Sequence, residues 1–139
     1  MYYAARTLIA GLLLSTLHLH AVGPDFKEGS WHISSSTKVR GTMPMAQTTR
    51  PYEVVECLTK KDMIPSPTQE SNQGCIIKDE SVSASTVRWK IVCDTAQGEG
   101  TIHYASDTFE GETIMHMTTP MGTFDMHTTM HGTYLGPCR

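Results

Sequence analysis

The chain lacks most of the features by which a sequence announces its function. It has no Lys/Arg run, and its 11 Lys and Arg are outnumbered by 14 Asp and Glu, for a formal charge of −3. A nucleic-acid binder would carry a basic patch and a protein held on a membrane surface a basic stretch, so neither class fits. No C-x-x-C pair occurs, which removes thioredoxin-like and zinc-ribbon readings. There is no G-x-S-x-G elbow, P-loop or H-E-x-x-H motif. No apolar run reaches the roughly 20 residues a membrane-spanning helix requires. Beyond the first 21 residues nothing reads as a helix longer than two turns.

What is present begins with an export signal. Arg6 is followed by an apolar run from Leu8 to Leu19, broken only by Gly11, Ser15, Thr16 and His18. This pattern, with small Ala21 before Val22 and Pro24 discouraging a cut after Gly23, predicts a secretory leader over residues 1–21. Processing would leave residues 22–139 as one domain, and the loss of Arg6 would take the charge from −3 to −4. The expected location is therefore periplasmic or secreted, with no stable membrane span after processing.

Residues 22–139 read as strands. Ser30–Val39 alternates Trp31, Ile33, Ser35, Thr37 and Val39 against His32, Ser34, Ser36 and Lys38, the period of a half-buried strand. Tyr52–Leu58 is rich in β-branched and aromatic residues. Thr59 to Asp62 has the spacing of a capping box for one helical turn, with Asp in place of Glu, and Pro65 and Pro67 end it. Two strands flank Ser83-Ala84-Ser85, a fifth covers Gly98–Ala105, and two more form the hairpin from Thr108 to Tyr134. The expected fold is all-β: an antiparallel meander of about seven strands, as a curled sheet or small barrel.

Four Cys fall in residues 22–139, and an even count in an exported chain implies disulfides rather than metal. A three-residue turn at Ser83-Ala84-Ser85 sets Val82 against Thr86, Ile77 against Ile91 and Cys75 against Cys93. Facing Cβ atoms lie about 4.5–5.5 Å apart, near bonding reach. Cys57 and Cys138 remain as the second pair.

The last hairpin carries the densest pattern. Phe109, Thr113, Met115, Met117, Phe124, Met126 and Met130 share one face, with Glu110, Glu112, His116, Asp125, His127 and His131 on the other. The Met face is expected to be the core of the domain. A turn centred on Met121-Gly122 opposes His116 to His127, Met117 to Met126 and His131 to Glu112. A turn at Ser106-Asp107 opposes His103 to Glu110 and Tyr104 to Phe109.

Gly29-Ser30-Trp31, Met43-Pro44-Met45-Ala46-Gln47-Thr48-Thr49, Cys57-Leu58-Thr59, Gly74-Cys75, Cys93, a Gly-rich turn with Thr/Met-rich hairpins, and Gly136-Pro137-Cys138 follow one another in order. In this the chain resembles the exported bacterial proteins grouped as domain of unknown function 3617. The resemblance covers almost all of residues 22–139. It implies a signal-bearing periplasmic protein and supplies no catalytic residues. His103, His116, His127 and His131 fall outside the family pattern.

Two residue groups could bind metal. His116 with His127 would offer two imidazoles to Zn²⁺ or Cu²⁺, and His103, Glu110, Glu112 and His131 could complete a site together. The competing reading is a solvated strand face of ordinary polar pairs, and it carries more weight. The nine Met suit Cu(I) chemically, yet adaptable core filling explains those on the hairpin better. Trp31 and Trp89 are core aromatics or, with Phe109, Met115, Met117, Phe124, Met126 and Met130, the lining of a pocket. No catalytic constellation or cofactor is expected. The expected activity is non-catalytic binding of a small apolar ligand or an envelope partner, the alternative being a structural accessory of the envelope.

Overall fold

The computed structural model describes residues 24–42, 51–64 and 74–139. The leader over residues 1–21, most of the connection 41–50 and the loop that precedes Gly74 lie outside them. Seven strands form one antiparallel sheet: β1 (Gly29–Gly41), β2 (Tyr52–Leu58), β3 (Ile76–Val82), β4 (Thr86–Val92), β5 (Ala96–Ala105), β6 (Thr108–Thr119) and β7 (Gly122–Gly136). Their order is β2-β1-β7-β6-β5-β4-β3. The sheet is all-β as expected, but it does not close into a barrel. β2 and β3 are its two edges, and the antiparallel ladders make them run in the same direction.

After β2 the described residues form a 3-10 turn, Lys60–Asp62. Thr59 caps it, with the Asp62 carboxylate accepting from the Thr59 backbone N–H at 2.8 Å, which completes the capping box. That backbone bond, and after it the one the Thr59 hydroxyl donates to the same carboxylate at 2.7 Å, hold the Asp62 carboxyl below its ordinary pKa.

The core lies elsewhere than the sequence suggests. Met115, Met117, Phe124 and Met126 are only half-buried, so of the apolar face of the last hairpin only the end that carries Phe109 and Met130 joins the core. The core instead gathers at the opposite end of the sheet around Trp31, Val87, Trp89, Ile102, Tyr104, Phe109 and Phe26. Aromatic rings outbid thioethers here because each buries far more apolar surface. Phe26 stacks on Trp31 at 5.5 Å between centroids and meets Tyr104 edge-on at 5.2 Å. Trp31 also touches Phe109 and Tyr134, each at 5.5 Å.

Backbone bonds fix this end. Asp25 donates to the Ala84 carbonyl and accepts from Ser106, so the segment before β1 ties the β3–β4 turn to the β5–β6 turn. The Tyr104 hydroxyl donates to the Met63 carbonyl at 2.9 Å, which seats the 3-10 segment over the same core. Burial pushes the Tyr104 phenol well above its ordinary pKa.

Room for these rings comes from glycine. A Cβ on Gly100 would fall within the Trp89 indole, and one on Gly132 within the Phe109 ring. Both are direct cross-strand pairs, Trp89 with Gly100 and Phe109 with Gly132. Each ring lies across the strand opposite and covers a backbone with no side chain of its own.

Both disulfides form as expected, Cys75–Cys93 and Cys57–Cys138, and no Cys is free. Two registers differ from expectation. In β3–β4, Ile77 faces Ile91, but a bulge between Lys78 and Ser81 then sets Val82 against Val87 rather than Thr86. Asp79, in the left-handed region at φ 51°, makes that bulge. In β6–β7 the loop is the two residues Pro120-Met121, so Thr119 faces Gly122 and every partner moves by two. A shift of two leaves the faces unchanged and alters each opposed pair.

Candidate functional site

The polar face is organised as rows that cross the sheet. One row runs Thr86, His103, Glu110, His131, Ser34 and Glu53 over six strands, and the next holds Arg88, Thr101, Glu112, Thr129 and Ser36. Between these rows lies an open depression of about 450 Å³, bordered by Ser34, His103, Glu110, Glu112, Thr129 and His131. The four residues grouped from the sequence as a possible site are thus brought together on its rim.

Within the depression His103 faces Glu110 as expected, and Glu110 faces His131 on its other side. Glu112 faces Thr129 instead of His131. The bonding partners diverge: His103 Nδ1 lies 2.8 Å from the Thr86 hydroxyl, His131 Nδ1 lies 3.9 Å from Glu110, and Glu112 accepts from His127 Nε2 at 3.0 Å. The Glu110 side chain is 82% exposed.

The expected His116–His127 pair does not exist. His116 faces Asp125 and donates to it at 2.6 Å, while His127 faces Ile114 and turns diagonally to Glu112. The physical reason is the two-residue loop at Pro120-Met121, which moves His127 two positions from His116. Among the described residues no group of three or more His, Cys, Asp or Glu converges as a metal site. Four imidazoles each meet one carboxylate: His32 with Glu53, His116 with Asp125, His127 with Glu112 and His131 with Glu110. All are exposed, and such pairs contribute roughly 0–1 kcal/mol.

The opposite face divides into two halves. Trp31, Trp89 and Phe109, named from the sequence as core or lining, are buried in the aromatic half. Met130 packs partly buried against that half. Beyond it Met115 faces Gly98 and Met126, and Met117 faces Ala96 and Phe124. This second half is a strip of sulfur and ring atoms over β5, β6 and β7, neither solvated nor sealed.

Phe26 is not legible in the sequence, because its place just after the expected processing site reads as flank. A residue preceding a strand by three positions gives no periodic signal of its own. The edge of β2 that no strand among the described residues pairs with, where Tyr52 is 65% and Val55 58% exposed, also carries no motif.

The family model described as "Protein of unknown function (DUF3617)" matches residues 26–138. The chain belongs to the DUF3617 family. The match begins at Phe26, the residue that closes the aromatic core, and ends at Cys138, the partner of Cys57. No curated protein and no solved structure matches this DUF3617 chain.

Proposed function

We propose that this DUF3617 protein is an exported, non-catalytic binding module of the bacterial periplasm, and that it holds a small apolar or amphipathic ligand against the Met-lined half of its sheet. The observation that carries the reading is the half-burial of Met115, Met117, Phe124 and Met126 beside a fully packed aromatic core. A chain that buries rings so completely at one end and leaves thioethers half-covered at the other has an apolar surface for something else to cover. Unbranched, polarisable Met side chains adapt to ligands of varied shape. Gly98 opposite Met115 keeps the strip low, because a Cβ there would meet the Met115 sulfur.

Export is supported by the leader pattern and by the pairing of all four Cys, which is typical of oxidising compartments. The non-catalytic reading is supported by the polar face. Each carboxylate-paired imidazole there is engaged in an exposed pair, and the depression they border opens widely to solvent.

The test is titration with an apolar naphthylamine dye that brightens on leaving water. Saturable brightening is expected, together with its loss in Met117→Glu/Met126→Glu while the cooperative thermal transition persists. Failure of the dye to bind, or equal binding by the variant, would reject the ligand reading.

A further inference from the structure

We propose that the free edge of β2 pairs antiparallel with the same edge of a second copy of this chain, joining two sheets about a two-fold axis at Val55. The proposal stands apart from the ligand reading, since β2 lies at the edge of the sheet and the Met strip across β5–β7.

The two edges of the sheet are not equivalent. β3 is protected: its register breaks at Asp79, Lys78-Asp79-Glu80 places three charges in its middle, and Asp79 is held by Lys90 at 3.0 Å. Bulges and charges are the usual guards against strand addition. β2 has no bulge and no basic residue, and its charges are Glu53 and Glu56, neither in the middle of the strand at Val55. Its seven residues pair with β1 in unbroken register from Tyr52 opposite Ser35 to Leu58 opposite Gly29. Among the described residues no strand pairs with its other side.

The edge is also held in place. Cys57–Cys138 fixes its end to the end of β7, and β1 lies between them. A pre-ordered strand loses little further freedom on pairing. Val55 is 58% and Leu135 57% exposed, and both line one depression of about 410 Å³ with Pro137. Glu56 and Arg139 border the same depression, so exposed apolar and charged groups together extend from the edge onto the outer face.

The strand itself selects a second copy as the occupant. With Val55 on the axis, Tyr52 faces Leu58 of the second copy, Glu53 faces Cys57, and Val54 faces Glu56. Every residue meets one on the same face of the joined sheet, and no two like charges stand directly opposite, which would be destabilising. A closed two-fold pairing of this kind is the commonest form of self-association.

The experiment is sedimentation of the full chain, expressed from Met1, over about a thousandfold range of concentration. A reversible monomer–dimer equilibrium is expected. Val55→Lys, which sets two ammonium groups together on the axis, should weaken the dimer about tenfold or more, and Val82→Lys on β3 should leave it unchanged. In hydrogen exchange of the unsubstituted protein, the β2 amides should become protected as concentration rises while the β3 amides do not. A chain that stays monomeric throughout, a dimer indifferent to Val55→Lys, or β2 amides protected only when an unrelated extended peptide is added would each overturn the proposal.

Discussion

Trp89 of β4 and Gly100 of β5 face each other, and the indole fills the space in which a side chain at position 100 would begin. Trp89 is 2% exposed. The pair holds large and small together at a point where two ordinary side chains would not fit. Gly100→Ala should therefore destabilise by about 1–3 kcal/mol through overpacking. Thr101→Ala, one residue on and facing the polar side, should stay within about 0.5 kcal/mol of the parent. Urea denaturation of both variants distinguishes these outcomes, and equal losses would refute the assigned contact.

The two tryptophans differ in their N–H groups. Trp31 Nε1 donates to the Lys27 carbonyl at 2.9 Å, whereas buried Trp89 Nε1 has no partner among the described residues. Replacing Trp31 by Phe loses ring volume and a hydrogen bond; replacing Trp89 by Phe loses ring volume and removes an unsatisfied donor. Trp31→Phe should thus be the more damaging, by about 1 kcal/mol or more. Chemical denaturation midpoints, taken at matched slopes, give the comparison.

The disulfides close loops of different length. Cys57 and Cys138 are 81 residues apart, Cys75 and Cys93 only 18. By the chain-entropy account, the long bridge stabilises by about 4.5 kcal/mol and the short one by about 3 kcal/mol. Cys57→Ala/Cys138→Ala should therefore melt below Cys75→Ala/Cys93→Ala. The reverse order in calorimetry would show that native packing, rather than loop closure, decides the effect.

Tyr104 makes stability depend on alkaline pH. Burial raises its folded-state pKa above the ordinary value of 10.0. A group raised in this way gives stability that is fully present below the unfolded pKa and falls as pH rises beyond it. The protein should lose stability progressively above about pH 10, since the unfolded phenol ionises there and the folded one does not. Tyr104→Phe should flatten that fall, and at neutral pH cost about 1 kcal/mol for the bond to Met63. Melting temperatures of both proteins between neutral and alkaline pH provide the check.

Much of this architecture is legible in the chain. Tyr52–Leu58 is a strand with the bounds its composition indicates, and the period of two in the last hairpin places every Met and His on its proper face. The Cys75–Cys93 pair is legible in the hairpin around Ser83-Ala84-Ser85, although the turn itself sets Val82 against Val87 and only the bulge at Asp79 restores the register that brings Cys75 opposite Cys93; Cys57–Cys138 then follows by elimination. Register was harder to read. Thr119-Pro120-Met121-Gly122 accommodates turns of more than one length, and alternation cannot distinguish registers that differ by two. The His116–His127 pair failed for that reason alone. The bulge at Asp79 has no signal in the alternation either, because a charged residue suits a solvated strand as well as a left-handed kink.

The place of the core was misread from a different cause. Periodicity shows which face is apolar but not which part of that face is sealed. Sealing depends on Phe26, on Met63 and Ile64 brought over from beyond β2, and on the β1–β7 ladder. Those contacts join residues far apart in sequence.

The pairing of β1 with β7 sets an order on how the protein can come into being. A ribosome makes Trp31 about a hundred residues before Tyr134, yet the two rings belong to one cluster and their strands to one ladder. Until the final strand exists, β1 and β2 are joined to the β3–β6 ribbon by no ladder, and Trp31 lacks one of its neighbours. A chain ended before β7 would hold two parts of the sheet with no ladder between them, linked through the contacts of Asp25, Phe26 and Met63 with the β3–β6 ribbon. The joining of the two parts of the sheet by a continuous ladder therefore waits on the 15 residues of β7.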